Sequence, residues 1–304
     1  PAALYFLPGA SGELSPLLTS DARIEGIAFT GSTQSAWAIN RALAARDSSI
    51  ASLIAETGGQ NALIADSTCL PEQLVKDVIR SAFGSAGQRC SALRVLFVQE
   101  EIANQVIELL KGAMNCLIVG NPRETRTDIG PVIDKQEQQK LLKHINDAKS
   151  EGRLIAQTPL PTELERGSFV APTLLEIQNI DELQEEHFGP ICHLIRFRIQ
   201  HLEQVIASIN RTGFGLTLGI HTRNETIGQK IAREINVGNV YINRNMVGAV
   251  VGVQPFGGCG LSGTGPKAGG PHYLQRFVRE KTISNYLAAV GGNIRLLTQK
   301  PSSN

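Results

Sequence analysis

Strand-like and helix-like segments alternate from the first part of the chain onward, and this alternation limits the possible folds more than any other feature. Ile24 to Phe29 has the apolar pattern of a strand, Thr33 to Ala45 the one-faced pattern of a helix, and Ser52 to Ala55 that of a second strand. A strand, a helix and a strand in this order form a β-α-β unit, whose two strands run parallel. The sequence therefore predicts an α/β fold.

The same alternation continues over the rest of the chain. Strands are predicted at Ala92 to Val98, Ile191 to Phe197, Leu216 to Ile220 and Val240 to Ile242, and helices at Pro71 to Ala86, Glu101 to Met114, Lys135 to Lys149, Leu202 to Asn210 and Thr226 to Ile235. The polar stretch Gln157 to Arg166 is predicted to be a surface loop, and the glycine-rich run 257 to 270 a chain reversal. We expect a second α/β layer structure after the first unit.

Cys90 is a candidate nucleophile because it lies between a predicted helix and a predicted strand, where catalytic groups are often placed. A cysteine attacks a carbonyl carbon only as the thiolate, so its site should lower the pKa of the thiol. We expect Gly87, Arg89 and the helix before them to supply that environment. The alternative is an inert, buried cysteine that packs as a small apolar side chain.

Glu56 is a candidate general base. It ends the apolar run Ser52 to Ala55 and is followed by Gly58 and Gly59, where the backbone can turn sharply or approach a ligand. A carboxylate at such a strand end can activate water. The alternative is a solvated glutamate in a loop.

Five short motifs, taken in their order along the chain, resemble those of the aldehyde dehydrogenase superfamily. They are Phe29-Thr30-Gly31-Ser32-Thr33, Glu56-Thr57-Gly58-Gly59, Gly87-Gln88-Arg89-Cys90, Glu186-His187-Phe188-Gly189-Pro190 and Pro255-Phe256-Gly257-Gly258. The resemblance implies an aldehyde dehydrogenase-like α/β fold with part of a Rossmann-type NAD-binding domain and an α/β catalytic domain. It also implies that Cys90 is the nucleophile, that Glu56 is the general base for thioester hydrolysis, and that NAD is the hydride acceptor, with NADP left open.

Two of these motifs are assigned to the cofactor by the resemblance. Thr30, Gly31 and Ser32 meet the pyrophosphate, which suits small residues at the start of a helix. Glu186 holds the nicotinamide ribose, and Phe188 packs beside the nicotinamide. The alternatives are an ordinary helix N-cap at Ser32 and a solvated charge at Glu186. Neither Arg89 nor any of the six histidines is assigned a catalytic role.

Residues 243 to 258 and 261 to 271 resemble a narrower branch of the superfamily, the L-glutamate γ-semialdehyde dehydrogenase domains of bifunctional bacterial enzymes of proline catabolism. This resemblance implies that backbone N–H groups of Gly248 and Ala249 bind the substrate carboxylate, that Ser91 gives it a hydroxyl, and that Phe256 packs on the aliphatic part. Backbone donors and a hydroxyl can recognise a carboxylate without a buried cation. The alternative is that 246 to 253 form a buried apolar turn.

Composition favours a small-molecule enzyme over a nucleic-acid or membrane-binding protein. The 29 Lys and Arg residues nearly balance the 28 Asp and Glu residues, which leaves a net charge of +1. The five cysteines have no CxxC spacing, so neither a disulfide framework nor a metal site is predicted. The first basic residue is Arg23, which argues against a signal peptide, and we expect a cytoplasmic protein.

The chain starts at Pro1 in the middle of a pattern, so we expect it to be a fragment. By the resemblance, the first half of the NAD-binding domain lies upstream, with an oxyanion-binding asparagine and a cofactor-binding lysine. We expect residues 1–58 to be the end of that domain, 59–262 the catalytic thiol domain, and 263–304 a return segment that provides an oligomerisation contact. FAD and nucleic acid would belong to modules outside this chain, and the intact protein is expected to be a homo-oligomer.

The implied activity is NAD-dependent oxidation of L-glutamate γ-semialdehyde to glutamate, the second step of proline catabolism, within a larger bifunctional enzyme. Two alternatives stay open. The chain is a catalytically silent structural fragment of that enzyme, or it belongs to an aldehyde dehydrogenase for another semialdehyde.

Overall fold

The first unit of the fold is the predicted β-α-β arrangement. A computed structural model describes residues 4–286, so Pro1 to Ala3 and the end of the predicted return segment, 287–304, lie outside the described residues. Helix α1 spans Ser11–Ser20, strand β1 Gly26–Thr30, helix α2 Thr33–Ala44 and strand β2 Ser52–Glu56. Strands β1 and β2 pair in parallel, with Gly26 opposite Ser52. The predicted parallel pair is confirmed.

Helix α2 begins where its capping chemistry is available. The Ser32 side chain accepts a hydrogen bond from the backbone N–H of Ser35, which satisfies one of the free donors of the first turn. The helix then buries Ala36, Ile39 and Leu43, which lie three and four residues apart on one face. This packing fixes the N-terminus of α2 beside the end of β1.

A seven-stranded sheet forms the larger part of the fold. Along the chain this part of the fold contains β3 (Ala62–Ala65), α3 (Pro71–Phe83), β4 (Val95–Gln99), α4 (Glu100–Asn115), α5 (Lys135–Ser150), β5 (Leu154–Gln157), β6 (Thr173–Glu176), β7 (Ile191–Phe197), α6 (Leu202–Arg211), β8 (Phe214–Gly215), β9 (Thr217–His221), α7 (Glu225–Glu234) and β10 (Asn239–Ile242). The strand order is β10-β9-β3-β4-β7-β6-β5, and β8 lies outside this sheet. All pairs are parallel except β5 with β6.

The sheet separates two apolar cores. Leu63 and Ala65 of β3 pack into the core that α3, α4 and α5 share, and the alternate residues Ala62 and Ile64 pack into the core under α6 and α7. Both faces of β3 are therefore buried, which is the usual environment of a central parallel strand. This architecture is an α/β fold, as predicted.

Helix α3 ends three residues before its predicted end. The apolar pattern continues to Ala86, which is buried, but Ser85, Ala86 and Gly87 have φ of 56°, 54° and 65°. Left-handed backbone stops a right-handed helix. At Gly87 a side chain would also overlap the carbonyl oxygen of Gly189, so this position accepts only glycine. The chain therefore leaves α3 in a sharp turn that leads to Cys90.

The glycine-rich run after residue 256 reverses the chain, as predicted. Phe256 pairs with Ala268 in an antiparallel bridge, and β11 (Cys259–Gly260) pairs with β8. Within this reversal, the backbone N–H of Thr264 donates to the carbonyl of Ala55 at 2.9 Å. The run therefore lies against the free edge of β2. None of the helices within residues 4–286 combines the length and the apolar character that a membrane crossing requires.

Candidate active site

One cleft of about 1420 Å³ collects the residues that the sequence pointed to. Its lining includes the candidate nucleophile and base Cys90 and Glu56, the cofactor candidates Thr30, Gly31, Ser32, Glu186 and Phe188, and the substrate candidates Ser91, Gly248, Ala249 and Phe256. These residues come from the β1–α2 turn, the end of β2, the turn after α3, the segment before β7 and the loop after β10. The fold brings all eleven into a single site.

Glu56 sits in a cradle made of glycines. Its Oε2 accepts a hydrogen bond from the backbone N–H of Gly258 at 2.8 Å, and its Oε1 is buried without a partner. A Cβ on Gly257 or Gly263 would come within 2.9 Å or 2.7 Å of the carboxylate oxygens, so both glycines make room for it. The interpretation of Glu56 as a solvated loop residue is therefore wrong.

Burial raises the pKa of Glu56 to about 7, against the opposing effects of the Gly258 N–H and the Lys267 charge. A carboxylate with a pKa near neutrality is a stronger base than an exposed glutamate and still loses its proton at physiological pH. The unpartnered Oε1 can accept a proton from a water molecule. The chemistry of the site therefore suits a general base.

Cys90 is half-buried, and its surroundings differ from the prediction. Burial is the main reason why the pKa of its thiol is raised, the charges of Glu186 and Glu56 raise it further, and the backbone N–H of Ser91 opposes them. The predicted thiolate-stabilising environment is wrong for two physical reasons. The turn follows the C-terminal end of α3, so this helix does not present its N-terminus to the thiol. The Arg89 guanidinium binds Ser85 Oγ at 2.9 Å, away from the thiol.

Arg94 is a buried cation that the sequence did not point to. Its side chain is 2% exposed, and its guanidinium forms an ion pair with Glu186 Oε1 at 3.0 Å. Glu186 Oε2 accepts a hydrogen bond from the backbone N–H of Gly59 at 3.2 Å. Burial raises the pKa of Glu186, and Arg94 opposes that rise. The guanidinium also lies 5.1 Å from the ring centre of Phe188. The sequence feature that could have indicated this residue is the presence of an arginine inside the otherwise apolar run 92 to 98.

The same guanidinium joins two loops of the cleft. Arg94 Nη1 donates to the carbonyls of Gly87 at 2.7 Å and Gly189 at 3.2 Å, and Nη2 donates to the carbonyl of Arg89 at 3.3 Å. The turn that carries the candidate nucleophile and the segment that carries Glu186 therefore share one buried anchor. A buried arginine holds such loops well because its planar fork offers several donors at once.

The cofactor candidates Thr30, Gly31 and Ser32 lie at the start of α2. Residues 30 to 34 line the cleft, and the first turn of α2 contains no acidic residue. A helix N-terminus attracts phosphate through its free N–H groups and dipole, and an acidic neighbour would weaken that attraction. The Ser32 hydroxyl acts as the helix cap in this structure, so the N-cap interpretation holds for that side chain. The backbone around it still fits a dinucleotide pyrophosphate.

The substrate candidates Gly248 and Ala249 lie in the loop after β10. Met246 and Val247 are buried, and the backbone N–H of Met246 donates to Ser81 Oγ at 3.0 Å. From Gly248 the loop turns outward with φ of 90°, and Gly248 and Ala249 are exposed in the cleft. The interpretation of 246 to 253 as a buried apolar turn is therefore correct only for its first two residues.

His187 belongs to a group of three histidines behind the cleft. Its ring stacks on His144 with 3.6 Å between centroids, and His144 Nε2 lies 2.8 Å from His193 Nε2. Burial lowers the pKa of His144 and of His187 to about 4 and holds that of His193 well below its usual value. These rings are therefore neutral near pH 7 and pack against one another.

Comparison with known proteins agrees with this geometry. The sequence model of the Aldehyde dehydrogenase family matches residues 1–283. The chain belongs to the aldehyde dehydrogenase family. It is 50% identical over 290 residues to the bifunctional protein PutA of Klebsiella aerogenes, covering 92% of this chain and 22% of that protein.

Solved structures of the family give the same result. A crystal structure of a variant of Proline Utilization A (PutA) from Bradyrhizobium japonicum superposes with a TM-score of 0.88 at 54% identity, covering 92% of this chain and 28% of that one. A 1-pyrroline-5-carboxylate dehydrogenase from Thermus with bound NAD gives a TM-score of 0.82 at 35% identity, covering 90% of this chain and 53% of that one. The chain therefore spans about a quarter of its PutA relatives and about half of this dehydrogenase.

Proposed function

We propose that this chain is the main catalytic part of an NAD-dependent dehydrogenase that oxidises L-glutamate γ-semialdehyde to L-glutamate within a larger bifunctional enzyme of proline catabolism. The observation that carries the proposal is that Cys90, Glu56 and the exposed backbone at Gly248 and Ala249 line one cleft. The similarity to PutA and to a 1-pyrroline-5-carboxylate dehydrogenase supports the choice of substrate. Hydrolysis of the cyclic imine 1-pyrroline-5-carboxylate gives this open-chain aldehyde.

The thiol starts the reaction. Cys90 Sγ adds to the aldehyde carbon as the thiolate, which forms a C–S bond and places negative charge on the former carbonyl oxygen. The backbone N–H of Cys90 would stabilise that oxyanion. Because the pKa of the thiol is raised, only a minor fraction of Cys90 is ionised near neutral pH before substrate binds.

The cofactor position follows from the groups that line the cleft. The start of α2 at Thr30, Gly31 and Ser32 would hold the pyrophosphate, Glu186 would hold the nicotinamide ribose, and Phe188 would pack beside the nicotinamide. When bound, NAD supplies the two-electron acceptor that turns the thiohemiacetal on Cys90 into a thioester. Arg94 orients Glu186 for this task through their ion pair.

Glu56 completes the reaction. Its carboxylate accepts a proton from water, and the resulting nucleophile attacks the thioester carbon, breaks the C–S bond and releases glutamate with the Cys90 thiol restored. At the far end of the substrate, backbone N–H groups of Gly248 and Ala249 and the Ser91 hydroxyl would bind the α-carboxylate. Phe256 would pack against the methylene groups.

The first test is NADH formation from NAD and glutamate semialdehyde, with the 304-residue chain and with the longest product of its gene assayed side by side. Cys90→Ala should abolish turnover and keep NAD binding. Cys116→Ala is the matched control because Cys116 is an exposed free cysteine outside the cleft. Substantial turnover by Cys90→Ala would contradict the proposal.

Two rival functions are separated by the same assay. Activity in the longer product alone would favour the view that this chain by itself is a silent fragment. Faster turnover of succinate semialdehyde than of glutamate semialdehyde would favour a dehydrogenase for another semialdehyde. We keep the division at residues 58 and 262, the homo-oligomeric state and the cytoplasmic location as proposals.

A further inference from the structure

Asn61 is a buried amide that the proposed chemistry does not use. It directly precedes β3, is 3% exposed, and does not line the cleft. Its Nδ2 donates to the carbonyl of Cys90 at 2.6 Å and to the carbonyl of Ala92 at 2.9 Å, and its Oδ1 accepts the backbone N–H of Thr217 at 3.2 Å. Every one of these partners is a backbone group.

The backbone of Asn61 strengthens the same junction. Its carbonyl accepts the N–H of Arg94 at 2.9 Å and of Val95 at 3.1 Å. The residue therefore ties the starts of β3, β4 and β9 to the turn that carries Cys90. Because β3 lies between β4 and β9 in the sheet, Asn61 fixes this turn to the most buried strands.

The bond to the Cys90 carbonyl has a chemical consequence. The carbonyl of Cys90 and the N–H of Ser91 belong to one planar peptide unit, so fixing the first also fixes the second. The Ser91 N–H interacts with the Cys90 thiol in the direction that lowers the pKa of the thiol. A donor on the carbonyl also polarises the peptide and strengthens its N–H as a donor.

We propose that Asn61 is a positioning residue for the nucleophile, which holds the Cys90–Ser91 peptide, and with it the thiol, through the hydrogen bond from its Nδ2 to the Cys90 carbonyl. This inference deepens the proposed function and rests on it only for the role of Cys90 in turnover. The effect on the thiol itself does not depend on the substrate. It can therefore be tested without any activity.

The test measures alkylation of Cys90 by iodoacetamide between pH 7 and 11, with the Cys90 peptide followed by mass spectrometry. Asn61→Ala should slow alkylation of Cys90 at pH 8 by about three- to tenfold, the size expected for one lost hydrogen bond, and shift its pH midpoint upward. Exposed Cys116 in the same sample is the internal reference. An unchanged Cys90 midpoint and rate would overturn the proposal.

Asn61→Asp is the second variant, because it nearly keeps the shape and the acceptor for the Thr217 N–H but loses the Nδ2 donor. It should slow Cys90 alkylation at least as much as Asn61→Ala. Thr158→Val is the control for general loss of stability, since Thr158 is buried and donates to the carbonyl of Met114 at 3.0 Å, away from the cleft. A Cys90 midpoint that shifts equally in Thr158→Val would overturn the positioning role.

Steady-state kinetics of the active form of the enzyme provide a separate readout. Asn61→Ala should lower kcat about three- to tenfold and leave KM for NAD unchanged, because Asn61 acts through the thiol. A raised KM for NAD with unchanged kcat would overturn the proposal. If Cys90→Ala proved active while Asn61→Ala still shifted the alkylation midpoint, the proposed function would fail and the positioning of the thiol would stand.

Discussion

Replacing Arg94 with methionine should destabilise the protein far more than loss of a surface charge. The substitution keeps the length of the aliphatic stem but removes the guanidinium that pairs with Glu186 at 3.0 Å. It also removes the donors that bind the carbonyls of Gly87 and Gly189. The two paired side chains are 2% and 16% exposed, so little solvent replaces the lost partner.

The magnitude follows from these contacts. Breaking one partner of a buried ion pair costs about 3–5 kcal/mol, because the remaining charge is left without compensation. The two carbonyls that lose their donor add about 1 kcal/mol each when water does not reach them. We therefore expect the free energy of unfolding to fall by about 5–7 kcal/mol, which approaches the total stability of many domains.

A double-mutant cycle tests this reasoning. In the Arg94→Met background, Glu186→Gln removes the unpaired carboxylate and should restore about 2 kcal/mol, measured by urea denaturation with circular dichroism. Arg198→Met is the matched control, because Arg198 pairs with Glu100 at 2.7 Å on the surface and should cost less than about 1 kcal/mol. Additive effects of the Arg94 and Glu186 changes, within about 0.5 kcal/mol, would refute the argument.

Three further predictions concern the base, its cradle and the histidines. Because the pKa of Glu56 is raised to about 7, the deacylation rate should rise as pH increases through about 7, and Glu56→Gln should give a burst of NADH without turnover; a flat pH profile from 6 to 8 would refute this. Gly263→Ala should lower kcat about tenfold or more because its Cβ would lie 2.7 Å from Glu56 Oε2. The control is Gly112→Ala in α4, where a Cβ has open space; this variant should be fully active and about 0.5–1 kcal/mol more stable. Since the folded-state pKa of His144 is lowered from 6.5 to about 4, the unfolded chain binds more protons than the folded chain between these values, so stability decreases as the pH falls from 6.5 to about 4. After a discount for partial exposure, His144→Gln should remove about 1–2 kcal/mol of that loss, measured by urea titrations at pH 7 and pH 4.5.

Local periodicity was sufficient to predict most of the regular elements. The pattern of α2 between two apolar runs predicted a parallel β-α-β unit, because a one-faced helix and two strands in sequence leave few other arrangements. The central strand β3 was not predicted, since it has only four apolar residues and both faces are buried, so it shows no alternation. Strands β5 and β6 are equally short.

The members of the candidate site could be named from motifs, but the electrostatics could not. The predicted low pKa of Cys90 was wrong because burial and the nearby carboxylates depend on contacts between residues far apart in the sequence. Arg94 and Asn61 were not predicted as residues of the site for the same reason. Their roles rest on bonds to backbone groups of distant turns, which leave no local pattern.

The glycine cradle of Glu56 also bears on the order in which the site assembles during synthesis. The N–H that binds the carboxylate comes from Gly258, 202 residues later in the chain, and the contact of β2 with Thr264 spans 209 residues. When Glu56 and Cys90 leave the ribosome, the residues that contact Glu56 and β2 from the other end of the chain have therefore not yet been synthesised. Contacts of such long range form late in folding. The cleft that contains Cys90 and Glu56 can therefore be completed only after Gly258 and Thr264 have been synthesised.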